Sequence, residues 1–227
     1  MSLDTERVRT VTFDSYSTLL DVGSAARALE GVVDDPAAVA AEWRRSALEY
    51  SLVAGRLDAY ETYDDLHRRG LEYALAAEGV EPSEEEVAEI NAVYHDLEPF
   101  EDVTEGFRRL DTAGYSPSVL SNGDPAMLES LVESTGIAEH VDTVVSADEI
   151  QTFKPEPALY EHAAERVGTP IGNVAHVAAH WMDVQGAGHA GMQGVWIDRA
   201  GEPWPTFDGE PALAVDSILE LCDLLGA

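Results

Sequence analysis

The chain reads as an α/β protein with a doubly wound parallel-sheet core and a helical cap inserted after the first strand. Three features predict this. In the second half, short apolar runs alternate with segments of helical periodicity. That is the mark of successive strand–helix units, a parallel sheet with helices on both faces. One further apolar run, "VRTVTFD", stands apart near the start, at residues 8–14. Between the two lies a long stretch that is helical throughout in its apolar spacing. With 227 residues, 45% of them hydrophobic, the chain can bury one core and support an insert.

The elements follow in order. The first strand, residues 8–14, runs into Asp14. "DPAAVAAEWRRSALEYSLVAG" places Val39, Trp43, Ala47 and Tyr50 on one helical face. "DAYETYDDLHRRGLEYALAAEG" repeats the habit and stops at Gly79, a C-terminal signal. "PSEEEVAEINAVYHDL" opens on Ser83 and Glu86, a capping box. Residues 20–97 are therefore expected to form the cap, and residues 1–19 and 98–227 a Rossmann-like core. In the core, "TEGFRRLDTAG" reads as a helix and "SPSVLSN" as a strand. "DPAMLESLVESTG" is a helix with Asp124 as N-cap and Pro125 in its first turn. Strand "DTVVSA", helix "EPALYEHAAERVG", strand "NVAHVAA", short helix "MDVQGAGHAG" and strand "GVWID" follow. The chain closes with "AVDSILELCDLL" as a final helix, after a Pro/Gly-rich loop in which Trp204 is expected to pack.

Composition narrows the function. The 44 acidic residues outnumber 13 basic ones, for a formal charge of -31. The acids are spread over nearly every helix, which implies a solvated acidic surface and argues against nucleic-acid binding, since phosphates would be repelled. High salt would screen the self-repulsion, so a halophilic cytoplasm is the expected setting. No secretory pattern opens the chain and no apolar run reaches a membrane span, so a soluble, cytoplasmic protein is expected. The single cysteine, Cys222, has core spacing and forbids an internal disulfide. Twelve of the 13 bases are Arg; the one lysine is Lys154.

Ligands of open parallel sheets bind at the carboxyl ends of the strands. There the sequence places Asp14, then Ser121-Asn122-Gly123, then Lys154, then Ala178-Ala179-His180 leading to Asp183. Each alone has a plainer reading: a turn, a cap, a surface lysine, a helix-dipole charge. Together, at successive strand ends, they can converge on one edge. A buried carboxylate at Asp14 needs a cation to remain charged, and Lys154 is the candidate. Arg in its place would bring a planar fork instead of a compact ammonium. Ser121 and Asn122 lie just ahead of a helix N-terminus, where side chains and N–H groups can hold a carboxylate. The remaining histidines, His176 among them, show no metal spacing and read as surface or packed residues.

The segments "FDSYSTLLDV", "LSNGDPAML", "KPEPALY" and "HVAAHWMDVQGA", in this order, resemble the four motifs of the haloacid dehalogenase superfamily. Within it the chain is most similar to the L-2-haloacid dehalogenases, and "WRRSALEYS" resembles that group's cap helix. The resemblance implies that Asp14 attacks the halogen-bearing carbon of a short L-2-haloacid, with inversion, and that water then hydrolyses the aspartyl ester to a 2-hydroxy acid. It implies no metal and no cofactor. Superfamily phosphatases need an acid where this chain has Tyr16, and a magnesium ligand where it has Ala179.

By the same resemblance, Thr18 hydrogen-bonds the Asp14 carboxylate, Ser15, Ser121 and Asn122 contact the substrate, and Tyr160 orients Lys154. Arg44 receives the departing halide while Arg45 pairs with surface acids. Tyr16 and Leu48, with Tyr60, line an apolar halogen pocket, and Asp183 activates or orients the hydrolytic water. A homodimer is also compatible with it. Three departures stand out. Ala178, Ala179 and His180 replace Ser-Ser-Asn; Met182 sits where an aromatic residue is expected; and Ser17 replaces a glycine. His180 is expected either to donate a hydrogen bond or bind halide when protonated, or simply to fill space. A magnesium-dependent phosphatase and a weakly catalytic carboxylate-binding protein are the alternative readings.

Overall fold

The computed structural model describes residues 2–57 and 59–227. Strand β1 (Thr10–Phe13) is buried along its whole length, on both faces, as the middle strand of a parallel sheet should be. The chain then leaves the sheet through β2 (Leu20–Asp21) and a 3₁₀ segment, Val22–Leu29. Three helices follow: α1 (Pro36–Leu57), α2 (Tyr63–Ala77) and α3 (Glu84–Asn91). The chain returns through β3 (Glu98–Pro99), which pairs antiparallel with β2.

Local chemistry sets these boundaries. Thr62 caps α2 by accepting from the Asp65 N–H, so the helix begins at Tyr63; Asp58, where the sequence pattern began, lies outside the described residues. Ser83 and Glu86 form the capping box of α3. Helices α1 and α2 touch at Gly70, where an added Cβ would lie 2.9 Å from the Trp43 carbonyl oxygen. That close approach buries Trp43 completely and lets its Nε1–H donate to the His67 carbonyl at 2.7 Å.

The alternating part supplies α4 (Val103–Thr112), β4 (Ser116–Ser121), α5 (Pro125–Thr135), β5 (Thr143–Ser146), α6 (Pro157–Arg166), β6 (Val174–Ala178), α7 (Trp181–Ala190) and β7 (Gln193–Ile197). The last stretch departs from expectation. Its opening Ala214 and Val215 are not helical but belong to an edge strand, β8 (Leu213–Val215), and only α8 (Ile218–Leu225) is helix. The reason is tertiary: β7 offers a free edge to which β8 pairs in parallel, and a three-residue run carries too little pattern to announce this.

The six strands run parallel in the order β5-β4-β1-β6-β7-β8. The chain winds outward from β1 to β5, then returns to the other side of β1 for β6, β7 and β8. The winding reverses at β1, and the carboxyl ends of β1, β4 and β6 frame the crevice there. This is the α/β, Rossmann-like architecture that the strand–helix alternation predicted. Among the described residues no helix is long and apolar enough to cross a membrane.

Candidate active site

Asp14 follows β1 directly, its N–H held by the Val177 carbonyl at 2.9 Å. The chain then turns sharply, and the Leu19 and Leu20 N–H groups both close on the Ser15 carbonyl. Ser17 takes φ 68°, a left-handed conformation. A residue with a Cβ pays about 1 kcal/mol there, which accounts for glycine being the expected occupant. The turn brings Thr18 back so that its hydroxyl donates to Asp14 Oδ2 at 3.0 Å and accepts from the Ala179 N–H at 2.9 Å. Arg199 fixes the same loop from behind. It donates to the Thr18 carbonyl at 2.9 Å and forks onto Asp102 with two contacts of 2.9 Å.

Lys154 enters from the loop before α6. Its backbone N–H donates to Asn122 Oδ1 at 2.9 Å, so the residue after β4 places the lysine. Its ammonium lies 2.8 Å from Asp14 Oδ1 and 2.6 Å from Asp183 Oδ2, with 6% of the side chain exposed. Burial opposes the charge, but Asp14 and Asp183 outweigh it and hold the Lys154 pKa above the ordinary lysine value.

Asp183 stands in the first turn of α7. Its Oδ1 accepts from Tyr160 Oη at 2.8 Å and from His176 Nε2 at 2.9 Å. Burial works against this carboxylate too, yet His176 and Lys154 prevail and hold it well below the usual carboxylate range. Helix α7 comes this close to α6 because Gly186 has no side chain; a Cβ there would lie 2.6 Å from Tyr160 Oη.

A small cavity of about 50 Å³, open to solvent, lies above these groups. Asp14, Asn122, Lys154, His180 and Asp183 provide its polar lining, and Tyr16, Leu48, Tyr63, Pro155 and Met182 its apolar lining. Arg44, half-buried on α1, faces it from the cap. Arg45 instead points outward and pairs with Glu42 at 2.5 Å and Glu49 at 3.1 Å. Tyr16 packs 5.8 Å from Tyr63 and 5.9 Å from Tyr94, ring centre to ring centre. Burial pushes the Tyr63 pKa up to about 12 and holds that of Tyr16 well above the ordinary tyrosine value. The neighbouring His67 is pushed down to about 3, first by burial and then by Arg44. The wall beside Arg44 is thus uncharged.

Several expected placements change. Ser15 and Ser121 do not reach the cavity: both are fully buried and their hydroxyls pair with each other at 2.6 Å. Ser121 Oγ also accepts from the Gly123 N–H, so this pair closes the turn. Tyr160 does not bond Lys154; its hydroxyl is spent on Asp183, because α6 packs beside α7. Tyr60 leaves the cavity to stack on Phe153 and donate to Asp148 Oδ1 at 2.9 Å. Tyr63, three residues on and held by the start of α2, lines the wall in its place.

His180 is the N-cap of α7, with Nδ1 accepting from the Met182 N–H at 3.3 Å. In the neutral ring the proton is therefore on Nε2. Burial and Arg44 lower its pKa against the pull of Asp183 and Asp14, which disfavours the charged ring. His176, read from sequence as a surface or packed residue, is completely buried and bonded to Asp183.

A family model described as haloacid dehalogenase-like hydrolase matches residues 8–191. The (S)-2-haloacid dehalogenase 4A of Burkholderia cepacia is 32% identical over 222 residues, covering 97% of this chain and 96% of that protein. The (S)-2-haloacid dehalogenase of Xanthobacter autotrophicus is 33% identical over 193 residues, 85% of this chain and 76% of that protein. A solved structure of L-2-haloacid dehalogenase from Xanthobacter autotrophicus with chloropropionic acid covalently bound superposes with a TM-score of 0.92. It is 27% identical and covers 97% of this chain and 99% of that one. With a matching model that runs from the strand before Asp14 to the end of α7, well over half of the chain, the chain belongs to the haloacid dehalogenase-like hydrolases.

Proposed function

We propose that this protein is a hydrolytic dehalogenase of short L-2-haloacids, working through an ester on Asp14. The observation that carries this is the lysine ammonium lying between two buried carboxylates under a cavity that an arginine caps. An Asp14 oxygen attacks C2 from the side opposite the halogen. The C–O bond forms as the carbon–halogen bond breaks, and the halide leaves with the bonding pair toward Arg44 and the His180 Nε2–H. A halide needs no proton to depart, so Tyr16 can stand where an acid would serve another leaving group. Water then attacks Cγ of Asp14. Of its two protons one ends on the 2-hydroxyl of the product and one is released, and Asp14 is regenerated.

The substrate carboxylate is assigned to Asn122 and to backbone N–H groups at the Asp14 turn. Asn122 lines the cavity and spends its Oδ1 on the Lys154 N–H, which leaves the Nδ2 donors for a ligand. The Ser15 and Tyr16 N–H groups have no acceptor among the described residues. Asp183 has three of its lone pairs engaged and a pKa too low for a strong base. Its assigned part is therefore to orient the water.

A divalent cation fits this site poorly. Lys154 Nζ already occupies the position between Asp14 and Asp183, and among the described residues no three His, Cys, Asp or Glu side chains converge. Magnesium needs near-octahedral oxygen ligation, which two carboxylates bridged by an ammonium do not provide.

The direct test is halide release from L- and D-2-chloropropionate with EDTA present. It is run in high salt, where a chain of charge -31 is screened from itself. Release from the L form alone, unaffected by EDTA, is expected. Release that requires magnesium, or no release from either enantiomer, would remove the proposal.

His180 narrows the halide end of the cavity relative to a smaller Asn. In His180→Asn the ratio of bromoacetate to fluoroacetate turnover is expected to rise by about tenfold, the scale on which pocket size discriminates. Halide release from fluoro-, chloro- and bromoacetate measures it, and an unchanged ratio would show that His180 does not set halide size.

A further inference from the structure

His176 has no part in the steps above, yet its surroundings are those of a working group. It lies in β6, fully buried, opposite Thr12 of β1 in the parallel register. Its Nδ1 is 2.9 Å from Thr12 Oγ1 and its Nε2 is 2.9 Å from Asp183 Oδ1. An ionised carboxylate only accepts, so Nε2 carries a proton and donates it. Burying an imidazole and a hydroxyl in mid-sheet is unfavourable unless both are paired. Here every polar atom of the two is paired, and the last link is Asp183. Side chains alternate across a strand, so Thr12 and His176 form a layer directly beneath Asp14 and Ala178. The site thus rests on a buried polar floor.

We propose that His176 is a positioning residue. From beneath the sheet edge, its Nε2–H and the Tyr160 hydroxyl clamp Asp183 Oδ1. Oδ2 is then left to hold Lys154, and one lone pair is aimed at the hydrolytic water. Positions 178 and 179, at the end of β6 and just beyond it, are alanine and offer Asp183 no hydroxyl. This rests on the dehalogenation reading for its consequence but not for its geometry.

The test compares His176→Phe, which keeps a flat ring and loses the donor, with His176→Gln, whose amide can restore it. In His176→Phe, kcat on L-2-chloropropionate is expected to fall about tenfold or more, on the scale of a slightly misplaced catalytic group. KM should stay within about twofold. Intact-mass analysis during turnover should find the Asp14 ester accumulating, because its hydrolysis is the step that loses orientation. His176→Gln should recover most of the loss. Wild-type kcat in His176→Phe, or a Gln variant no better than the Phe variant, would overturn the proposal.

A second measurement needs neither variant nor turnover. In 15N-edited spectra of the wild type, the His176 Nε2 proton should appear as a slowly exchanging, downfield signal. An unprotonated Nε2 would overturn the clamp. That signal in a protein releasing no halide would support the clamp and strike the dehalogenation reading instead.

Discussion

Asp14→Asn is expected to stop turnover, with a fall of about 10⁴-fold or more, and to leave the fold intact. Losing the nucleophile of a covalent mechanism is among the most costly single changes an enzyme can suffer. The substitution is nearly isosteric. The Asn carbonyl can still accept from Thr18, whose hydroxyl lies 3.0 Å from Asp14 Oδ2. Lys154 also keeps its second partner, Asp183, at 2.6 Å. What disappears is the negative charge on the attacking atom, since an amide oxygen is a poor nucleophile toward carbon. Halide release gives the loss of rate, and intact-mass analysis should find no ester on the variant. Full activity in Asp14→Asn would refute the assignment of the nucleophile.

Lys154→Ala should be as damaging to activity, and should weaken the fold as well. It leaves Asp14 and Asp183 sharing a buried site with no cation between them. Two such carboxylates do not both stay ionised easily. Breaking a buried ion pair by removing one partner costs about 3–5 kcal/mol. Lys154→Arg should not restore turnover, because a planar fork does not occupy the point where one ammonium reaches both acids at 2.8 and 2.6 Å.

The pH dependence follows in sign. Asp183 is held well below the usual carboxylate range, against burial, by His176 and Lys154. Its stabilisation is present above the ordinary carboxylate pKa and is lost as pH falls through the lowered native value. Without Lys154 the native value rises, so the variant should lose stability at a higher pH than the wild type on acidification. Lys154 acts at the other end: with its pKa raised by the two carboxylates against burial, its contribution is full below the ordinary lysine pKa and fades as pH rises through the raised one. The wild type alone should show that alkaline loss. Thermal melts across the pH range check both limbs; parallel curves for the two proteins would refute the ion-pair account.

Much of the molecule was legible in the residues themselves. The sheet could be read because parallel strands buried on both faces are rich in apolar and β-branched residues, as in β1 and β6. The Asp124, Ser83 and Gly79 signals marked helix ends because capping is local chemistry, satisfied within three or four residues. Strand β8 escaped notice because its partner, β7, lies 16 or more residues earlier and a three-residue run has no period of its own. At the site, Asp14, Lys154 and Asp183 stood out by position at strand ends. The uses of Tyr160, Ser15, Ser121 and His176 did not, since each depends on which neighbouring element passes within hydrogen-bonding distance.

Sequence by itself determined the class of fold, the order of its elements and the chemistry available at the sheet edge, because periodicity, capping and residue type act over a few residues. Only the tertiary structure decided the partners. Gly186 lets α7 approach α6, and so Tyr160 serves Asp183. The β1–β6 register sets Thr12 beside His176, and His176 within reach of Asp183. Hydrogen bonds are decided at distances of about 3 Å, between atoms that meet only when separate strands and helices pack, as Thr12 of β1 meets His176 of β6, and the local residue pattern does not record that meeting.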